Sequence, residues 1–170
     1  MRVIGVGLVV AIIFLSGCSP AESTQVRTYA LGEHVPVGRL VYTIFERKWV
    51  TQFGEGATAR VPQHRFCVIR LSAVNSGGTD LIVPALTLQD DKGESYSELQ
   101  NGDGVAQWIG VLRTVKPAEA LQGNIIFDCP PQHYKLRVTD ENEERAAVVD
   151  LPLSFDSEMP QLFVPTEKKK

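Results

Sequence analysis

Apolar and polar residues alternate along most of this chain. The clearest run is residues 65–75, in which Cys67, Ile69 and Leu71 fall on one side and Arg70 falls on the other. A period of two residues indicates a β-strand with one buried face. No stretch repeats the three- and four-residue spacing of an amphipathic helix over the length of a helix. The pattern therefore predicts an all-β domain.

Turn-forming residues divide this pattern into many short strands. Clusters of Gly, Asn, Asp and Pro recur roughly every 8–12 residues, which is typical of an antiparallel sandwich. Residues 90–94 predict a hairpin turn with Gly93 in the left-handed conformation, and residues 52–64 predict a loop. The predicted strands cover residues 29–38, 39–47, 65–75, 81–83, 85–89, 95–97, 111–115, 121–129, 134–138 and 146–153. The fold class predicted in this way is an antiparallel β-sandwich.

The chain begins with a short apolar segment. Arg2 precedes an apolar run over residues 3–15, and residues 15–18 (Leu-Ser-Gly-Cys) place small residues directly before a cysteine. A spanning helix needs roughly 20 apolar residues. The run is shorter than that, so it predicts a cleaved signal peptide and not a transmembrane helix. An ordinary signal peptide that leaves Cys18 unmodified is the alternative.

Residues 15–18 resemble the lipobox of bacterial lipoproteins at every position. The resemblance implies that residues 1–17 are removed and that Cys18 is acylated, which makes the membrane a partner through the N-terminal lipid. Ser19 implies, by the sorting rule of that class, the periplasmic face of the outer membrane if the host has two membranes. The small polar residues over 18–28 predict a flexible tether.

Length and charge limit the class of protein that the chain after the signal peptide can form. The chain has 170 residues, enough for one domain over residues 29–153 followed by a tail over 154–170. The tail ends in three lysines, and its residues 162–164 either add an edge strand or are disordered. The formal net charge is −3. Because nucleic-acid binding needs a basic stripe, we expect no nucleic acid partner.

The cysteines give the next prediction. The chain has three cysteines, and the lipobox resemblance assigns Cys18 to lipidation, which leaves Cys67 and Cys129. The alternation places both side chains on the inward side of a strand, and Phe127 shares the side of Cys129. Two remaining cysteines in a protein of an oxidising compartment predict a Cys67–Cys129 disulfide. Two unpaired buried thiols are the alternative.

Candidate catalytic and metal-binding residues are scattered. His34, His64 and His133 lie in separate segments without the spacing of metal ligands, so we expect them at the surface or in loops. Residues 90–94 lack the spacing of a calcium loop. Cys67 beside His64 is a poor nucleophile candidate, because burial disfavours the thiolate. We therefore expect no catalytic residue, metal site or cofactor, and no enzyme activity.

Two tryptophans are candidates for a binding patch. Trp49 follows two basic residues, and Trp108 lies beside a glycine-rich loop. Large aromatic side chains in loops mark interaction surfaces in many proteins. Core tryptophan is equally common, so the sequence leaves burial of Trp49 and Trp108 as the alternative.

Several motifs occur in an order that carries a second resemblance. They are Leu31-Gly32-Glu33-His34-Val35-Pro36-Val37-Gly38, the strand from Phe66 to Asn75, the hairpin from Leu88 to Tyr96, Pro117 with Gly123, Phe127 and Pro130, and Tyr134-Lys135-Leu136. Together they resemble the immunoglobulin-like domain of unknown function found in bacterial lipoproteins and secreted proteins, whose fold is shared with a secreted immunoprotective antigen family. The resemblance covers residues 29–153, departs at the loop over residues 52–64, and implies an immunoglobulin-like sandwich. That family offers no shared catalytic residues.

These observations favour a non-enzymatic, lipid-anchored protein outside the cytoplasm. Its sandwich would bind or support another envelope component, either a protein or peptidoglycan. The alternative function is an inhibitor or ligand-binding protein directed at an envelope or secreted hydrolase. An enzyme is the least favoured class, because the sequence carries no known catalytic motif.

Overall fold

The computed structural model describes residues 26–111 and 113–153. The predicted signal peptide, the predicted lipidation site Cys18, most of the predicted tether and the tail over residues 154–170 lie outside the described residues. Within the described ranges, no helix is long and apolar enough to cross a membrane. The backbone is already engaged before the predicted start of the domain, because the Arg27 carbonyl accepts a hydrogen bond from Val148 N at 3.1 Å.

The regular secondary structure of the described chain is almost entirely β-strand, in agreement with the sequence pattern. The strands are β1 (Thr28–Tyr29), β2 (His34–Val37), β3 (Leu40–Val50), β4 (Phe66–Asn75), β5 (Leu81–Val83), β6 (Thr87–Asp90), β7 (Ser95–Ser97), β8 (Arg113–Val115), β9 (Ala120–Asp128), β10 (Tyr134–Thr139) and β11 (Ala146–Leu151). A 3-10 turn, Gly56–Thr58, lies in the predicted loop after β3. The predicted all-β fold class is confirmed.

Two sheets form the layers of the sandwich. One has the strand order β1-β11-β10-β6-β7 and the other β2-β3-β4-β9, while β5 and β8 form a separate two-stranded ribbon. Neighbouring strands are antiparallel except β1 and β11, which pair in parallel. The alternation of residues did not predict the parallel pair or the separate ribbon. A strand shows the same period of two residues whether its neighbour is parallel or antiparallel, and whichever strand that neighbour is.

The core lies between the inner faces of the two sheets. Ile69 and Phe127 of one sheet and Leu136 and Val149 of the other have no exposed surface, and all four belong to one cluster. Successive residues of a strand point to opposite faces, so every second side chain of these strands enters the core. The predicted inward position of Phe127 is therefore confirmed.

The hairpin between β6 and β7 forms as its sequence predicts. Gly93 has φ +86°, a conformation that glycine adopts without steric cost. Asp90 Oδ1 accepts hydrogen bonds from Lys92 N at 2.9 Å and Glu94 N at 2.8 Å. The Asp90 carboxylate therefore satisfies the backbone of the turn.

A buried ion pair joins the start of β8 to the segment after β7. Arg113 Nη2 lies 2.7 Å from Glu98 Oε2, and neither side chain is exposed. Burial raises the pKa of Glu98, and the Arg113 guanidinium opposes that rise. Glu98 Oε2 also accepts a hydrogen bond from Leu86 N at 3.1 Å. The sequence pattern gave no sign of this pair, because charged residues are rarely fully buried.

Candidate functional site

The outer face of the sheet formed by β2, β3 and β4 carries a contiguous apolar surface, called the trough below. The trough is lined by His34, Pro36, Val41, Thr43, Phe45, Ser72 and Val74 and has a volume of about 580 Å³. Phe45 is 44% exposed and Val74 is 36% exposed. The outer face of an antiparallel sheet normally carries polar side chains. An apolar outer face therefore marks a candidate binding surface.

A row of polar side chains crosses the trough. Thr43 pairs with His34 on one side and with Ser72 on the other. His34 Nδ1 lies 2.9 Å from Thr43 Oγ1. Among the described residues, no carboxylate forms a hydrogen bond or ion pair with His34. This row can hydrogen bond to a ligand, but His34 lacks the orienting acid of a Ser–His–Asp triad.

A β-bulge ends the trough. The pairing of β3 with β4 shifts register between Ile44 and Glu46. Ile44 is buried, whereas Phe45 lines the trough and Glu46 lines a second, adjoining cavity. Bulges redirect side chains at the point where they interrupt a ladder. The bulge here brings the two cavities together on one face.

The second cavity, called the basic pocket below, is small and polar. It is lined by Glu46, Lys48, Val68, Arg70, Gln107 and Asn124 and has a volume of about 150 Å³. Lys48 Nζ lies 3.1 Å from Glu46 Oε1, so these two charges pair with each other. Arg70 forms no hydrogen bond or ion pair with the described residues, and its Nε is buried. The pocket therefore holds one unpaired positive charge.

The segment before β8 covers the free edge of β9 and forms one wall of the basic pocket. Asn124 N donates to Gln107 O at 2.8 Å, and Ile109 N donates to Asn124 O at 3.2 Å. The approach needs a glycine at position 123, because a Cβ on Gly123 would lie 2.3 Å from Gln107 O. Backbone pairing thus fixes the position of Gln107 beside Asn124.

The structure corrects the interpretation of Trp49 as part of a surface patch. Trp49 is only 8% exposed, and its ring lies against Tyr134 at a centroid distance of 6.3 Å, with the Arg47 guanidinium 5.1 Å from its centroid. It is an inward residue of β3, so the core alternative holds for it. Trp108 packs on Gly102 so closely that a Cβ there would lie 1.9 Å from the indole ring. Trp108 therefore serves the packing of its loop.

The predicted disulfide is not present in the structure. Cys67 and Cys129 are both fully buried free thiols, as in the alternative that the sequence left open. They lie close enough to hydrogen bond to each other, and burial, together with this hydrogen bond, raises the pKa of Cys67 well above its usual value. A protonated, buried thiol is a weak nucleophile. The inward placement of both cysteines was predicted correctly, and their covalent state was not.

The histidines lie apart from one another. His34 lines the trough, and His64 Nδ1 lies 3.7 Å from Asp128 Oδ1. His133 links the residue after β6 to β11. Its Nδ1 lies 2.8 Å from Asp91 Oδ1, and its Nε2 lies 2.8 Å from Asp150 Oδ1. The hydrogen bond to Asp150 and the one to Asp91 raise the pKa of His133. Across residues 26–111 and 113–153, no group of three His, Cys, Asp or Glu side chains could hold a metal ion.

Sequence reasoning missed the trough and Arg70, although a signal for the trough was present. Val41 and Val74 fall on the outward side of the alternation, where a strand with one buried face normally has polar residues. No feature of the sequence indicated that Arg70 would have no hydrogen-bond or ion-pair partner among the described residues. Whether an arginine has a partner depends on side chains from other strands and loops, which only the folded chain brings together.

Comparison with solved structures supports the fold. The yjhA protein from Bacillus subtilis is 17% identical over 72% of this chain and 98% of its own, with a TM-score of 0.58. The secreted protein MPT63 from Mycobacterium tuberculosis is 16% identical over 76% of this chain and 99% of its own, with a TM-score of 0.51. The ycdA protein from Bacillus subtilis, described as a putative lipoprotein, is 16% identical over 71% of this chain and 38% of its own, with a TM-score of 0.52. No curated protein matches the chain in sequence.

The family assignment rests on the sequence itself. Residues 29–146 match the family described as a domain of unknown function, DUF4352. This span lies within the segment that the ordered motifs assigned to an immunoglobulin-like domain of unknown function, and MPT63 supplies the secreted relative by fold. The predicted resemblance is confirmed, and the chain belongs to the DUF4352 family.

Proposed function

We propose that this protein is a lipid-anchored, extracytoplasmic binding module that uses the trough as its binding surface. The observation that carries the proposal is the apolar outer face of β2, β3 and β4. A sheet face that contacts only solvent normally carries polar side chains. The lipobox at residues 15–18 supports the anchor, and similarity in fold to a secreted protein and to a putative lipoprotein supports a location outside the cytoplasm. In a host with two membranes, the location is the periplasmic face of the outer membrane.

The anchor limits where the trough can act. Nine residues separate Cys18 from Thr28, where the first strand begins, and even a fully extended chain of that length spans only about 35 Å. The sandwich therefore stays close to the membrane that holds the lipid. Its partner is then a component of the envelope.

The lining of the trough also narrows the kind of partner. Pro36, Val41, Phe45 and Val74 offer apolar contacts, with hydrogen-bonding groups confined to the row through Thr43. Burial of apolar area supplies about 25 cal/mol per Å², so an apolar ligand gains most from this surface. Glycan strands of peptidoglycan, which carry many hydroxyl groups, fit it less well. The proposed activity is binding, because the surface is apolar apart from the row of His34, Thr43 and Ser72.

Site-specific photocrosslinking in intact cells tests this proposal. A photoreactive amino acid replaces Phe45 in the trough, and the matched control carries it at Lys135, an exposed position of the opposite sheet. We expect an envelope component to crosslink at position 45 only, and Val74→Asp to abolish that crosslink. Equal crosslinking at both positions, or a crosslink that Val74→Asp leaves intact, would contradict the trough as binding surface. A crosslinked hydrolase would favour the inhibitor alternative.

The anchor has its own test. Metabolic labelling with a clickable fatty acid should label the wild-type protein and leave Cys18→Ala unlabelled. Fractionation should then find the wild type in the membrane fraction and the variant released from it or retained as an uncleaved precursor. Equal labelling of the two proteins would contradict lipidation at Cys18.

A further inference from the structure

The trough and the basic pocket form one continuous surface along β4. Val74, Ser72 and Arg70 occupy successive outward positions of this strand, the first two in the trough and the third in the pocket. At about 3.3 Å per residue, Val74 and Arg70 are roughly 13 Å apart along the strand. The surface therefore changes from apolar, through hydroxyl groups, to cationic over the length of a medium-sized hydrocarbon chain.

Arg70 is the unsatisfied group on this surface. Its Nε is buried without a hydrogen-bond partner, and no described side chain pairs with its charge. Glu46, the carboxylate that lines the same pocket, is 3.1 Å from Lys48. A buried polar group without a partner costs free energy, whereas a guanidinium binds a carboxylate through charge-assisted hydrogen bonds. The pocket is therefore complementary to an anionic head group.

We propose that the ligand of this surface is an aliphatic carboxylate, with its hydrocarbon chain in the trough and its carboxylate on Arg70. This inference rests on the proposed function of the trough and names its ligand class. Gln107 lines the pocket beside the carboxylate, Asn124 Nδ2 is held by Ala106 O at 2.7 Å, and Thr43 and Ser72 line the path between chain and head. No covalent step is involved.

The geometry of the sheet favours a hydrocarbon over a peptide. Peptides that bind sheets usually pair their backbone with an exposed edge. Here the trough lies on a face, where the backbone groups of β3 are paired with β2 and β4. The edge at β2 carries Pro36, which cannot donate to a ladder, and the edge at β9 is covered by residues 107–109. A chain without backbone amides leaves none of its own polar groups unpaired in the trough.

Isothermal titration calorimetry with decanoate and decanol tests the proposal. Both probes have the same hydrocarbon chain, and only decanoate carries the negative charge. The protein is the predicted mature polypeptide over residues 18–170 with Cys18→Ala, so that no lipid is attached, and circular dichroism checks that it folds. We expect decanoate to bind at least about tenfold more tightly than decanol, as loss of a charge-assisted hydrogen bond predicts.

Variants of Arg70 assign the charge. Arg70→Met should reduce the affinity for decanoate to that for decanol and leave decanol binding unchanged, while Arg70→Lys should retain part of the preference. Arg137→Met, an exposed arginine of the opposite sheet, is the matched control and should behave as the wild type. Comparison of the two probes on the wild type needs no variant, so a folding defect in Arg70→Met would not obscure the result.

The outcomes separate this inference from the proposed function. Equal affinity for the two probes, unaffected by Arg70→Met, would overturn the carboxylate and leave the trough as an apolar binding surface. Failure of both probes to bind would overturn the ligand class, and crosslinking at position 45 would then decide on the trough independently.

Discussion

Phe127 shows how a single residue reports on the core. It is fully buried, opposite Cys67 in the register of β4 and β9, as the inward alternation of its strand predicts. Phe127→Ala should lower the free energy of unfolding by about 3–5 kcal/mol, through lost burial and the cavity left behind. Chemical denaturation measures this change. The same substitution at Phe45, which is 44% exposed, should cost far less, and equal costs would contradict the assigned faces of the sheets.

His133 makes stability depend on pH. Its hydrogen bonds to Asp150 and Asp91 raise its pKa in the folded state, so the protonated imidazole stabilises the fold. That contribution is complete below the unfolded pKa of about 6.5 and is lost as the pH rises through the higher folded value. The unfolding free energy of the wild type should therefore exceed that of His133→Gln at about pH 5.5, and the difference should shrink toward pH 8.

The control for this prediction removes one acceptor and keeps the imidazole. In Asp150→Asn, His133 Nε2 loses the carboxylate that lies 2.8 Å away, so the pH dependence of unfolding should be weaker than in the wild type. A difference between wild type and His133→Gln that stays constant over the whole pH range would show that the bridge to Asp91 and Asp150 does not titrate with folding.

At the scale of the elements, Gly123 is the position of β9 against which residues 107–109 pack. A Cβ at this position would meet the backbone oxygen of Gln107 at 2.3 Å and Ile109 Cγ2 at 2.4 Å. Gly123→Ala should therefore push residues 107–109 away from the strand and cost about 1–3 kcal/mol, as overpacking does. Hydrogen exchange should accelerate at the amides of Ile109 and Asn124, which form the bridging hydrogen bonds.

Gly78 provides the matched control for this substitution. A Cβ at Gly78 would meet no atom within 4 Å. Gly78→Ala should therefore leave both the stability and the exchange rates nearly unchanged. If Gly123→Ala behaves in the same way, the segment before β8 is not held against β9 as the hydrogen bonds indicate.

On the scale of the whole molecule, the two core thiols report on opening of the sandwich. Cys67 and Cys129 have no exposed surface, so an alkylating reagent can reach them only when the layers separate. In the native protein, peptides with these residues should remain unmodified, and denaturation without reductant should make both alkylatable. Mass spectrometry of the digested protein measures both states. Resistance of both cysteines after denaturation would instead establish the disulfide that the sequence predicted.

The sequence by itself determined the strands, the turns and the inward face of each strand. The reason is that these depend on local chemistry: a period of two residues, and glycine at a position such as Gly93 where φ is positive. It also determined the family, because the order of the motifs is a property of the chain.

Only the tertiary structure decided which charged and apolar side chains meet. It paired Glu98 with Arg113 inside the fold, left Arg70 without a partner among the described residues, and joined the outward residues of three strands into the trough. These contacts link residues far apart in the chain, and their energies depend on burial and on neighbours that no local pattern specifies. For the same reason Trp49 is in the core although its sequence neighbours are basic.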